Sequence, residues 1–122
     1  RGRELIASQG WAADGKVISF RPDKRIRELW RERRISEPGA LDYPRGLVVA
    51  DLDGDGSEEI YVGEATGEGR ILQWKDSAAG LKIGGGLPIV AMLPLDWDRD
   101  GQRDLVVLGA RTGVWYQRQR LK

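Results

Sequence analysis

The 122-residue sequence contains no cysteine and no histidine. The first absence excludes disulfides, thiolate metal sites and cysteine nucleophiles. The second removes the usual general base, the Ser-His-Asp arrangement and most zinc chemistry. Neither sign of charge is in excess: 20 Lys plus Arg stand against 19 Asp plus Glu, a formal net charge of +1. That balance gives no general electrostatic hold on nucleic acid or an anionic membrane, so no nucleic-acid partner is expected. Long apolar runs are missing too. The longest, Leu87 to Leu95, includes Pro88 and Pro94 and falls far short of the roughly 20 residues that cross a bilayer, so a membrane-spanning chain is not expected. No charged-then-apolar leader follows Arg1, and the expectation is that a targeting signal is absent or already removed.

What the chain does have is glycine (17) and tryptophan (five). Many turns combined with aromatic strand residues are the composition of an all-β protein, and the length suits one ordinary domain. Internal repetition is visible by eye. The segments Gly46-Leu-Val-Val-Ala-Asp-Leu-Asp-Gly-Asp-Gly-Ser-Glu-Glu-Ile-Tyr-Val-Gly63 and Ala91-Met-Leu-Pro-Leu-Asp-Trp-Asp-Arg-Asp-Gly-Gln-Arg-Asp-Leu-Val-Val-Leu108 align, with first aspartates Asp51 and Asp96 lying 45 residues apart. A period of this size with several strands per unit is a signature of propeller blades and similar arrays.

A truncated third copy opens the chain. Glu4-Leu-Ile-Ala-Ser8 corresponds to the runs that begin at Glu59 and Asp104. Asp14-Gly-Lys-Val-Ile-Ser-Phe20 corresponds to Glu68-Gly-Arg-Ile-Leu-Gln-Trp74, and Thr112-Gly-Val-Trp-Tyr116 to both. Strands are expected over 4–8, 16–21, 26–34, 46–50, 59–63, 70–75, 80–83, 89–94, 104–108 and 113–119, separated by Gly-containing turns, as in meandering antiparallel sheets. The segment 24–34 also fits a helical stripe through Ile26, Leu29, Trp30 and Arg33; the repeat register favours a strand there. Residues 36–44, with Pro38, Gly39 and Pro44, read as a loop into the next unit.

The repeated segments share the pattern Asp-x-Asp-x-Asp-Gly-x-x-acid, at Asp51, Asp53, Asp55, Gly56, Glu59 and at Asp96, Asp98, Asp100, Gly101, Asp104. Carboxylates at alternate positions followed by a glycine bend bring several hard oxygens to one point, which suits Ca2+ with its six to eight oxygen ligands. The backbone carbonyls of Ser57 and Gln102, at the seventh positions, are candidate further ligands. An EF-hand closes instead with a bidentate Glu at position 12 between helices; here Val62 and Val107 hold that position and the flanks are strand-like. A hairpin whose Asp and Gly residues serve the turn alone is the plainer reading. Two complete copies in register weigh against it.

These loops, with their closing acid at position nine, apolar flanks and spacing, resemble the FG-GAP/VCBS repeats of the integrin α-subunit type of β-propeller. The name-giving Phe-Gly and Gly-Ala-Pro signatures are not evident. The resemblance implies four-stranded antiparallel blades with a calcium loop between the first and second strands. Gly46–Ala50 and Ile89–Leu95 would then be first strands, and Glu59–Gly63 and Asp104–Leu108 second strands. The implied organisation is a partial blade over 1–45 lacking its first strand and loop, a complete blade over 46–86 with loop 51–59, and a partial blade over 87–122 with loop 96–104.

The two loops are not equal. Asp51, Asp53, Asp55, Glu58 and Glu59 should repel one another strongly without a cation, whereas Arg99 and Arg103 partly neutralise the second loop and are expected to weaken its binding. Glu59 in place of the usual Asp changes the reach of one ligand. The basic run 21–34 is interrupted by Asp23, Glu28 and Glu32 and reads as a solvated face. Trp30, Trp74 and Trp115 are expected in blade packing, whereas Trp97, inside the second loop, is the better recognition candidate. The run Gly63-Glu-Ala-Thr-Gly-Glu-Gly69 lacks the Gly-Lys-Ser/Thr ending of a phosphate loop.

A period near 45 fits about 2.7 units into 122 residues, too few to close a propeller of four to eight blades. Further blades, from the same or another chain, or a protein partner are therefore expected. The function expected is that of a calcium-binding propeller segment serving as an interaction or scaffold module. The alternative is a carbohydrate-binding, lectin-like propeller or the non-catalytic part of a polysaccharide-active enzyme. With the carboxylates committed to Ca2+ and no His or Cys, an enzyme is not expected. An extracellular, periplasmic or cell-surface location, where calcium is abundant, goes with this reading.

Overall fold

A computed structural model describes residues 4–10, 15–22, 29–75, 80–109 and 113–116. The protein is all-β: the described residues form the strands β1 Leu5–Gln9, β2 Lys16–Arg21, β3 Arg31–Arg34, β4 Pro44–Ala50, β5 Glu59–Glu64, β6 Ile71–Trp74, β7 Leu81–Gly84, β8 Ile89–Leu95, β9 Asp104–Gly109 and β10 Gly113–Tyr116. No helix occurs among the described residues, and none is long and apolar enough to cross a membrane. Each expected strand has its counterpart, with one shortening. The strand expected over 26–34 begins only at Arg31, because its apolar residues Leu29 and Trp30 precede it and its four residues are all exposed. Positions 26–28 and 117–119 lie outside the described residues.

The strands form three antiparallel sheets: β1-β2-β3, β4-β5-β6-β7 and β10-β9-β8. Among the described residues, only the middle sheet has the four strands expected of a blade. Its position between the other two explains its sequence. A strand covered on both faces has no reason to alternate with polar residues, and every residue of β5 is buried. One face of the middle sheet joins Val17, Ile6 and Leu41 through Ile60, Val62, Leu72 and Trp74. The opposite face, with Val48, Ala50, Tyr61 and Ile71, packs on Ile89, Met92, Leu105 and Val107 of the third sheet. Cross-sheet strand contacts run through β1, β4, β5 and β8. The outlying β3, with sequence Arg-Glu-Arg-Arg, is a charged edge of the kind that resists further pairing.

Close approach of the second and third sheets depends on two glycines. A Cβ on Gly46 would lie 2.8 Å from Met92 Cγ, and one on Gly63 2.9 Å from two carbons of Ile89. At the end of the middle sheet away from the acidic loops, Glu64 is buried and receives the Arg70 guanidinium, whose Nη2 donates to its Oε2 at 2.8 Å. The same oxygen accepts the Asp42 N–H at 2.7 Å, and Arg70 reaches the Ala40 carbonyl at 3.1 Å. This network fastens the 36–43 loop to the β5–β6 hairpin, the run that superficially resembled a phosphate loop.

The repeat register needs one correction. Gly63 pairs with Ile71, whereas Leu108 pairs with Gly113. Gly113 therefore occupies the place of Ile71, two residues from its expected match with Gly69, because the β9–β10 turn is shorter.

Candidate metal centre

Both acidic segments are the turns joining paired strands: 51–58 connects β4 to β5 and 96–103 connects β8 to β9. They adjoin at one end of the stack, with a cleft of about 330 Å³ between them lined by Asp51, Gly54 and Glu58 on one side and Gly101, Gln102 and Arg103 on the other. Their hydrogen bonds repeat almost atom for atom. Asp51 accepts the Asp55 N–H at 3.2 Å on one oxygen and the Gly56 N–H at 2.8 Å on the other. Asp96 does the same for Asp100 at 3.1 Å and Gly101 at 3.0 Å. Asp53 and Asp98 accept from Asp55 and Asp100; Asp55 and Asp100 accept from Ser57 at 2.8 Å and Gln102 at 2.9 Å. Each loop is thus a run of side-chain-to-backbone turns that brings alternate carboxylates inward. Ser57 and Gln102 enter through their N–H groups.

Gly54 and Gly56 have φ of 76° and 90°, and Gly101 has 91°. The residue in the place of Gly54 in the second loop is Arg99, held at φ 59°, a conformation that costs a side-chain-bearing residue about 1 kcal/mol or more.

Ligand oxygens of Asp51, Asp53, Asp55 and Glu59 all lie within 4.8 Å of one another, as do those of Asp96, Asp98 and Asp104. Oxygens bound to one calcium at about 2.4 Å can be no more than about 4.8 Å apart, so both clusters have the dimensions to hold a metal ion. Of the expected ligands, Asp100 is not brought into the second group.

The closing acids are buried. Glu59 is 0% exposed; its Oε1 accepts the Tyr61 hydroxyl at 3.2 Å, while Oε2 makes no hydrogen bond. Burial, and then repulsion from Asp53, raise its pKa above the ordinary glutamate value. Asp104 is also buried and accepts the Trp97 N–H at 3.2 Å. An oxygen-only donor set that includes a buried carboxylate, one oxygen of which has no hydrogen bond, is suited to a hard cation.

One charged residue beside the first cluster is not evident from the loop's spacing alone. Lys75 follows β6, one step beyond the Ile60–Trp74 pair and hence across from Glu59. Its ammonium donates to Asp55 Oδ2, and lies 3.4 Å from Asp53 Oδ2 and 3.9 Å from Glu59 Oε2. The Lys75 hydrogen bond, followed by the Ser57 N–H, lowers the Asp55 pKa to about 2; the Lys75 pKa is raised in turn. The signal was present in the sequence as strand arithmetic: antiparallel pairing of 59–63 with 70–75 places residue 75 opposite the loop's closing acid.

Of the tryptophans, Trp74 is in the core, Trp30 is half-buried just before β3, Trp115 lies on β10 and Trp97 is 56% exposed. The chain matches no family model, no curated protein and no solved structure.

Proposed function

We propose that the chain is a calcium-stabilised segment of a propeller-like array of FG-GAP/VCBS type, acting as a binding or scaffold module rather than an enzyme. The observation that carries the reading is the convergence of Asp51, Asp53 and Asp55 on the buried Glu59, whose Oε2 makes no hydrogen bond. Calcium suits it because the donors are all oxygens on a flexible Asp- and Gly-rich turn. The repeated loop at Asp96, Asp98 and Asp104 supports a second site, made weaker by Arg99 and Arg103. Carbonyls of Ser57 and Gln102 are proposed as additional ligands.

The stacking supports the interaction role. The face of the middle sheet covered by the third sheet carries Val48, Ala50 and Tyr61, with Leu52 from the loop. One repeat later these positions are Leu93, Leu95, Val106 and Trp97, and Leu93, Leu95 and Trp97 are exposed. Trp97 therefore holds the position of a packing residue, Leu52, while remaining 56% exposed. That favours a further blade or a protein partner over stacking on a sugar ring. A calcium-rich extracellular, periplasmic or cell-surface setting goes with this proposal.

Calorimetric titration of chelator-stripped protein with calcium tests it, alongside Asp53→Ala and Asp98→Ala. Saturable binding at two sites, one lost with each variant, is expected. No binding at millimolar calcium would overturn the metal reading.

A further inference from the structure

The first loop holds a cation of its own. The Lys75 ammonium binds Asp55 Oδ2 and sits within 4 Å of Asp53 Oδ2 and Glu59 Oε2, three of the four carboxylates grouped there. A calcium ion centred on those oxygens cannot share them with an ammonium at that distance. Two space-filling cations would overlap, and their mutual repulsion acts over a few ångströms. Lysine is suited to give way: the charge sits on a flexible four-carbon stem, and the Lys75 side chain is 42% exposed, so the ammonium can swing to water without unpacking the core.

The position is also used elsewhere in the fold. In the first sheet Leu5 pairs with Phe20, which places Arg21 across from Glu4 as Lys75 is across from Glu59. Arg21 Nε lies 3.7 Å from Glu4 Oε2. In the third sheet Leu105 pairs with Tyr116, and the next residue in the sequence is Gln117, which is neutral. The loop with the densest negative charge is thus the one whose register position supplies a primary amine.

We propose that Lys75 is a tethered competitor of the divalent ion: it neutralises the first loop when metal is scarce and must be displaced for metal to bind. Lys75 consequently raises the calcium concentration at which the first site fills. It also keeps the metal-free hairpin together, so that loss of calcium does not leave Asp53, Asp55 and Glu59 facing one another uncompensated. This inference rests on the metal reading of the first loop.

The test uses the full chain with Asp98→Ala to silence the second loop. In that background Lys75→Met, Lys75→Gln and Lys75→Arg are compared by calcium titration and by thermal melting in chelator. Loss of the tethered charge is expected to tighten calcium binding about tenfold in both neutral variants, with Lys75→Arg close to the parent. The neutral variants should also melt lower in chelator and gain more from calcium. Parent-like or weaker calcium binding in Lys75→Met and Lys75→Gln overturns the competitor role while leaving the metal site standing. If neither the Asp98→Ala parent nor its Lys75→Met form binds calcium, the metal reading falls and the competitor role with it.

Discussion

Replacing Glu59 with glutamine should reverse the order of stability between chelator and calcium. Without metal, the ionised carboxylate is fully buried, lacks a hydrogen bond on Oε2 and faces Asp53 and Asp55. An acid whose pKa is raised on folding opposes folding once pH exceeds its ordinary value. Its cost therefore grows as pH climbs from 4.5 through the raised value and stays at neutral pH. A buried polar group left unsatisfied costs about 1–3 kcal/mol. The Lys75 ammonium at 3.9 Å offsets part of this, which puts the relief at about 1 kcal/mol. Glutamine keeps an oxygen for the Tyr61 hydroxyl and removes the charge. In chelator at pH 7 Glu59→Gln should melt about 4 °C higher than the parent. At pH 4, where the parent is largely protonated, that advantage should shrink. With calcium at about 100 times its dissociation constant the parent gains about 2.7 kcal/mol, and the variant, lacking the closing ligand, gains little of it. The parent then becomes the more stable. Thermal melts at the two pH values, with and without calcium, read all of this. A variant that melts below the parent in chelator, or gains as much from calcium, would refute the account of Glu59 as a strained ligand.

The left-handed Arg99 should yield to glycine: Arg99→Gly relieves about 1 kcal/mol of backbone strain, read as a higher melting temperature in chelator, and, on the calcium reading, should tighten binding at the second loop by removing a positive charge. Gly63→Ala should cost about 1–3 kcal/mol in urea denaturation, since its methyl would meet Ile89 at 2.9 Å and Met92 Sδ at 3.0 Å in a packed interface. Arg70→Met strands the buried Glu64 carboxylate. Denaturation should show a loss of about 2 kcal/mol, less than the 3–5 of a fully buried pair because Arg70 is 39% exposed.

Strand positions were legible because apolar and aromatic runs between Asp- and Gly-rich turns leave few alternatives, and the 45-residue repeat fixed which strands correspond. The failures have local causes. In 24–34 the apolar residues stop at Trp30, and the strand that follows is made of charged residues, whose placement follows from pairing with β2. The β9–β10 turn is shorter than its counterpart, so matching Gly113 to Gly69 leaves it two residues out of register. In the site, the carboxylates announced themselves by spacing along one segment. Lys75 did not, because its neighbourhood with Glu59 exists only across a strand pair, and a lone lysine at a strand end looks like ordinary surface. Asp100 differs from its counterpart: its spacing matches that of Asp55, but the second group brings together Asp96, Asp98 and Asp104.

The alternation that gathers the carboxylates also ties their loop to the fold. Asp51 and Asp53 turn toward the cluster, and Leu52 between them turns the other way, into the core that the middle sheet shares with Leu105 and Val107 of the third. A cation that holds both aspartates therefore holds Leu52 against the neighbouring sheet, as well as closing its own hairpin. Burying a leucine side chain contributes about 1.5–3 kcal/mol, so fixing the loop and fixing the sheet interface are comparable in size and act through one residue. The second loop repeats this arrangement with Trp97 in place of Leu52, between Asp96 and Asp98, and there the large side chain is exposed. On the calcium reading, occupancy of the second loop would orient the exposed Trp97 indole, which a change in tryptophan fluorescence on calcium addition would report.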